Sequence, residues 1–145
     1  MNRRALMIAI WVIASPAFGA PVPKELKKND AARFVGEWWE SANQDEVYPD
    51  AATARRFRFG KDGALGIHQN AVAPATEYTV VVDPTTTPRT FVLKGKGAAD
   101  NGGWNAVYKL EGDTLRFVLT SAGEPLSKEA APDAGGLYYE LKRVK

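Results

Sequence analysis

The chain has no cysteine. Disulfides, thiolate nucleophiles, thiolate metal ligands and a lipid-modified cysteine are therefore excluded, and stability has to come from packing. Histidine is nearly as scarce. His68, in "GIHQN", stands alone and alternates to the side opposite Ile67, so it is expected on an outer strand face in water. A histidine-rich zinc site is excluded by count, although a carboxylate-rich cation site is not. Ser41, Ser121 and Ser127 lack a Gly-x-Ser-x-Gly setting, and no phosphate-loop or dinucleotide glycine pattern occurs. No catalytic residue and no cofactor are expected, and the chain does not read as an enzyme.

Excess charge is also missing. The whole chain carries 19 Lys and Arg against 17 Asp and Glu, and the surplus, Arg3 and Arg4, falls in the first twenty residues. Without those residues the balance is 17 to 17, which leaves no electrostatic footprint for nucleic acid. The densest basic stretch, "RRFRF" at 55–59, alternates Arg56 and Arg58 with Phe57 and Phe59, as a strand with one solvated face does.

Those first twenty residues have a basic start, an apolar run over 5–14 and the small residues of "SPAFGA", the three-part form of an export signal. The run is shorter than the roughly 20 residues of a membrane-crossing helix. The expected organisation is a signal peptide at 1–20, an approach segment at 21–33 with a short helix between about 24 and 34, and one domain over 34–145. The expected location is periplasmic or secreted, with no permanent membrane anchor.

Beyond Gly36 the pattern has a period of two. Strands are expected over 36–42, 54–59, 64–69, 76–82, 89–95, 104–110, 114–120 and 137–143. "GKDG" and "EGD" are tight-reversal signals, and Pro84 and Pro88 lie in a connection. Eight short sequential strands predict an all-β fold, an antiparallel up-and-down eight-stranded barrel closed to remove its edges, with a short N-terminal helix. Such a barrel holds a packed core or one small ligand cavity.

Four stretches, "FVGEWW" at 34–39, "TEYTVVVDPTTTPRTFVL" at 76–93, "AVYKLEGDTLRFVL" at 106–119 and "YELKR" at 139–143, resemble the small lipocalin-like domains of uncharacterised bacterial proteins that are especially numerous in planctomycetes. The opening Gly36-x-Trp38, the Asp83-Pro84 turn and the Tyr108-x-Leu110-x-Gly112-Asp113-x-Leu115 hairpin carry the likeness. Residues 115–130 depart from it, lacking the cysteine and the Arg-Pro-x-x-Phe stretch that family members often have. The resemblance implies a lipocalin-like barrel with Trp38 packed across its closed end near the helical segment, and Trp39 outside.

Two readings of function follow. In the first, an exported lipocalin-like domain binds a small apolar or amphipathic molecule among Trp38, Phe57, Tyr78, Phe91, Trp104 and Tyr139, with tyrosine hydroxyls fixing a polar end. In the second, the domain is a structural or protein-interaction module of the cell envelope. Its outer face, carrying Trp39, Val107 and Tyr138, then meets a protein partner or a second copy. The acids Asp45, Glu46, Asp50, Asp100 and Asp113 are expected in loops and turns.

Overall fold

The computed structural model describes residues 30–97 and 103–145. Helix α1 (Asp30–Phe34) is followed by β1 (Gly36–Asn43), β2 (Arg56–Phe59), β3 (Ala64–His68), β4 (Ala75–Asp83), β5 (Thr90–Gly95), β6 (Trp104–Glu111), β7 (Thr114–Ser121) and β8 (Leu137–Arg143). Each strand pairs antiparallel with the next, and β8 returns to β1, so the sheet closes without an edge. All eight expected strands are present, with ends moved by at most two residues. The export segment 1–20, the first part of the expected helix, and Asp100 with most of the 95–103 loop lie outside the described residues.

Alternation assigns the two faces. Phe57 and Phe59 on β2, Leu65 on β3, Val80 on β4, Phe91 and Leu93 on β5, Tyr108 and Leu110 on β6, and Phe117 and Leu119 on β7 point inward and are buried. The outer face carries cross-strand ion pairs: Glu37 holds Arg56 and Arg58, each at 3.2 Å, and Arg116 bridges Glu111 at 3.1 Å and Glu140 at 2.8 Å. An apolar inside with a charged outside is the reverse of a membrane-spanning barrel, whose lipid face is apolar. No described helix is long and apolar enough to cross a membrane.

One end of the barrel is plugged. Helix α1 lowers Phe34 into it, edge-on to Phe59, Phe91 and Tyr108 with ring centroids 5.3, 5.9 and 5.0 Å away. Asp30, almost fully buried at the start of the helix, accepts hydrogen bonds from the Tyr108 hydroxyl (2.8 Å) and from Arg89 (3.0 Å). Burial, reinforced by that bond to Asp30, pushes the Tyr108 hydroxyl far above its ordinary pKa, so it stays a donor. Trp38 is entirely buried and donates its indole N–H to the Phe34 carbonyl at 2.8 Å. The Arg143 guanidinium lies 4.1 Å from the Trp38 ring centroid and donates to the carbonyls of Val35 and Arg33. First strand, last strand and helix are thus tied together at one point, where the resemblance places Trp38.

The outer face departs from expectation. Val107, Val118 and Tyr138 are in cross-strand register, and all are buried, at 1%, 1% and 5% exposure. Gly136, the last residue of the β7–β8 connection (122–136), approaches this face: a Cβ on it would lie 2.6 Å from Val118 Cγ1. That connection is ordered on itself through buried Ser127, whose hydroxyl donates to Ala134 O at 3.0 Å. Alternation assigns a side chain to a face but says nothing of what a long connection lays over that face. The expectation of exposure is therefore corrected for Val107 and Tyr138. Trp39 is outside and half-buried, with the Lys142 ammonium 5.8 Å from its ring centroid.

Candidate functional site

The barrel interior is filled at the plugged end and hollow at the other. The hollow has a volume of about 180 Å³, and its wall includes Phe57, Tyr78, Phe91, Trp104 and Tyr139. Five of the six residues expected to meet a ligand therefore converge on it. Trp38 does not, because its indole is held at the plug by the Phe34 carbonyl and the Arg143 guanidinium. Phe117 adds a central ring, stacked on Tyr139 at 5.2 Å and edge-on to Phe91 at 5.4 Å. Trp104, 36% exposed, stands at the rim where the inward face of β6 runs out of neighbours. Three larger depressions, of about 480, 750 and 490 Å³, are open hollows beside α1, beside the β7–β8 connection and beside Trp39.

The wall also holds a charge that alternation alone can find. Arg55 precedes β2 and shares the inward side of Phe57; Glu40 on β1 shares the inward side of Trp38 and is paired across the strands with inward-facing Leu141. The Glu40 N–H donates to the Arg55 carbonyl at 3.0 Å, which places the two side chains next to each other. Glu40 is completely buried; its Oε2 lies 3.2 Å from Arg55 Nε, and its Oε1 accepts from Asn43 at 2.8 Å. Burial pushes the Glu40 carboxyl above its ordinary range, against the opposing pull of Asn43 and Arg55, with Glu46 adding to the rise. Arg55 is only two-thirds buried and borders the cavity together with Tyr139. Neither charged residue stands out in sequence: the signal was the two-residue spacing of each from an inward aromatic, Glu40 from Trp38 and Arg55 from Phe57.

The remaining candidates are turn-builders. Asn43 Oδ1 accepts from the N–H groups of Asp45 and Glu46, and Asp50 Oδ1 from those of Ala52 and Thr53. Asp113 meets Arg143 at 3.5 Å. His68 is half-buried, its Nδ1 2.7 Å from the Ala73 carbonyl within the β3–β4 connection. Among the described residues no group of three or more acids and histidines is brought together.

A barrel of eight sequential antiparallel strands, plugged at one end by an N-terminal helix and hollow at the other, places the chain in the lipocalin-like structural class. No protein-family model matches the chain, and no curated protein is found to be similar to it.

Proposed function

We propose that the chain is an exported lipocalin-like protein that binds a small amphipathic molecule in the open half of its barrel, and that it is related to the bacterial lipocalin-like domains its motifs resemble. The observation that supports this reading is the interior hollow of about 180 Å³, because it gathers Phe57, Tyr78, Phe91, Trp104 and Tyr139 around one empty volume. Apolar hollows of about 150 Å³ are large enough to take a benzene ring. Largely apolar concavities with a few polar groups are the usual form of a small-molecule site. A ligand here would lose its water against aromatic faces and keep a polar end near Arg55 and Tyr139. Catalysis is not part of the proposal, which needs only desolvation and orientation. Export follows from the form of residues 1–20 and implies action in the periplasm or outside the cell.

Titration of the protein with benzyl alcohol, followed by amide and indole chemical shifts, tests the proposal. Shifts should concentrate on β2, β5 and the Trp104 indole, and Phe117→Trp, which fills the hollow, should abolish them. Absence of any saturable shift with benzyl alcohol, or shifts confined to the outer face, would overturn the reading.

A further inference from the structure

The charge in the cavity wall narrows the class of ligand. Glu40 is fully buried; its Oε2 lies 3.2 Å from Arg55 Nε as an ion pair without a hydrogen bond, and its Oε1 accepts from Asn43. Replacing such a pair with apolar residues is often neutral or stabilising, so packing alone gives little reason for it. What the arrangement does provide is a guanidinium held beside a buried carboxylate in the cavity wall. Its other nitrogens are the donors that a ligand acceptor would meet, and Tyr139 lines the same wall. Arg55 is 34% exposed against none for Glu40, so a molecule in the hollow meets the cation and not the acid.

Resting on the small-ligand reading above, we propose that the cavity selects a compact organic anion: a carboxylate carried on one ring, the carboxylate on the terminal nitrogens of Arg55 and the ring among Phe57, Phe91 and Phe117. Size argues against a long acyl chain, because about 180 Å³ accommodates little more than one ring with a short polar arm. Electrostatics favours the anion in spite of Glu40. A carboxylate on the side of the guanidinium turned away from Glu40 is closer to the cation than to the acid, and Coulomb energy falls inversely with distance. The planar fork suits this task, since it can serve two carboxylates on different edges.

Benzoate, benzamide and benzamidine have nearly the same shape and differ in charge, so calorimetric titration of the full chain with these three separates the possibilities. Benzoate should bind about 10- to 100-fold more tightly than benzamide, the range expected of a charge-assisted hydrogen bond, and benzamidine most weakly. Arg55→Gln should remove that preference. Because this variant strands the buried Glu40, the double variant Glu40→Gln/Arg55→Gln, which removes both charges together, provides the second comparison. It should retain benzamide binding and bind benzoate no better. Equal affinity for benzoate and benzamide, or a preference for benzoate that survives in the double variant, would overturn the anion assignment while leaving a small-molecule site intact. Binding of none of the three would overturn both.

Discussion

Phe34→Ala is the most direct test of the plugged end. The side chain is 2% exposed and meets Phe59, Phe91 and Tyr108 edge-on at 5.0–5.9 Å. Truncating a buried phenylalanine costs about 3–5 kcal/mol in lost transfer energy and cavity formation. Each edge-on ring pair accounts for about 0.5–1.5 kcal/mol beyond buried area, so three pairs place this site toward the upper part of that range. A domain of this size has roughly 5–15 kcal/mol in all. The variant should therefore fold but unfold at much lower urea, with Tm lowered by roughly 10–20 °C. The Trp38 indole bond to the residue 34 carbonyl involves backbone and should persist, so Trp38 fluorescence remains a valid probe. Phe34→Leu keeps most of the volume and loses the ring pairs, and should cost about 1–2 kcal/mol. Urea titrations of both variants, with matching m-values, provide the measurement. If Phe34→Ala cost less than about 1 kcal/mol, α1 would be an ornament on a barrel closed by other means, and the account of the plugged end would fail.

Asp30→Ala and Tyr108→Phe address the same end through one hydrogen bond, with single costs of about 2–3 and about 1–2 kcal/mol; the pair should be clearly sub-additive in a double-mutant cycle. Glu40 has a folded pKa raised from 4.5, so the folded chain holds its proton more tightly than the unfolded chain. Its contribution is therefore full below about pH 4.5 and declines as pH rises through the folded value. Glu40→Gln should flatten the fall in Tm across that window, and an unchanged profile would contradict the burial argument. Glu140 behaves oppositely: burial raises it, but hydrogen bonds from Arg116 and Ser41 outweigh this and leave it low. Its contribution disappears as pH falls, and Glu140→Gln should lessen acid sensitivity in the same thermal series. Gly63→Ala should cost about 1–3 kcal/mol, because φ is +81° and the new Cβ would meet the Val80 carbonyl at 2.9 Å. Gly112→Ala, at φ +56° with open space around it, should cost about 1 kcal/mol; equal losses by thermal unfolding would count against the clash at Gly63.

The barrel was legible because period-two alternation is local: a strand such as β6 writes its inner face into four residues, Trp104, Ala106, Tyr108 and Leu110, without reference to anything distant. The reversals were legible for a similar reason, since Gly63 and Gly112 supply backbone angles their turns require. Less legible was whatever depends on depth along the barrel axis. Trp38 and Phe57 are cross-strand neighbours facing inward, yet Trp38 lies in the plug and Phe57 at the hollow, because strands in a barrel are tilted and paired residues differ in depth. The buried outer row of Val107, Val118 and Tyr138 was not legible, because alternation assigns a face and not what lies over it. Glu40 and Arg55 escaped notice because charge reads as solvent-facing, although each obeys the same alternation as its aromatic neighbour.

The seam between β1 and β8 has one more implication. Trp38 is opposite Arg143, so the contact that completes the cylinder joins positions near the two limits of the folded region. A nascent polypeptide still missing its last strand can form hairpins but cannot complete the ring, and long-range closure of this kind is slow because the intervening loop must first be gathered. Until Arg143 is available the cylinder stays open, so the seam that completes it is the last to form.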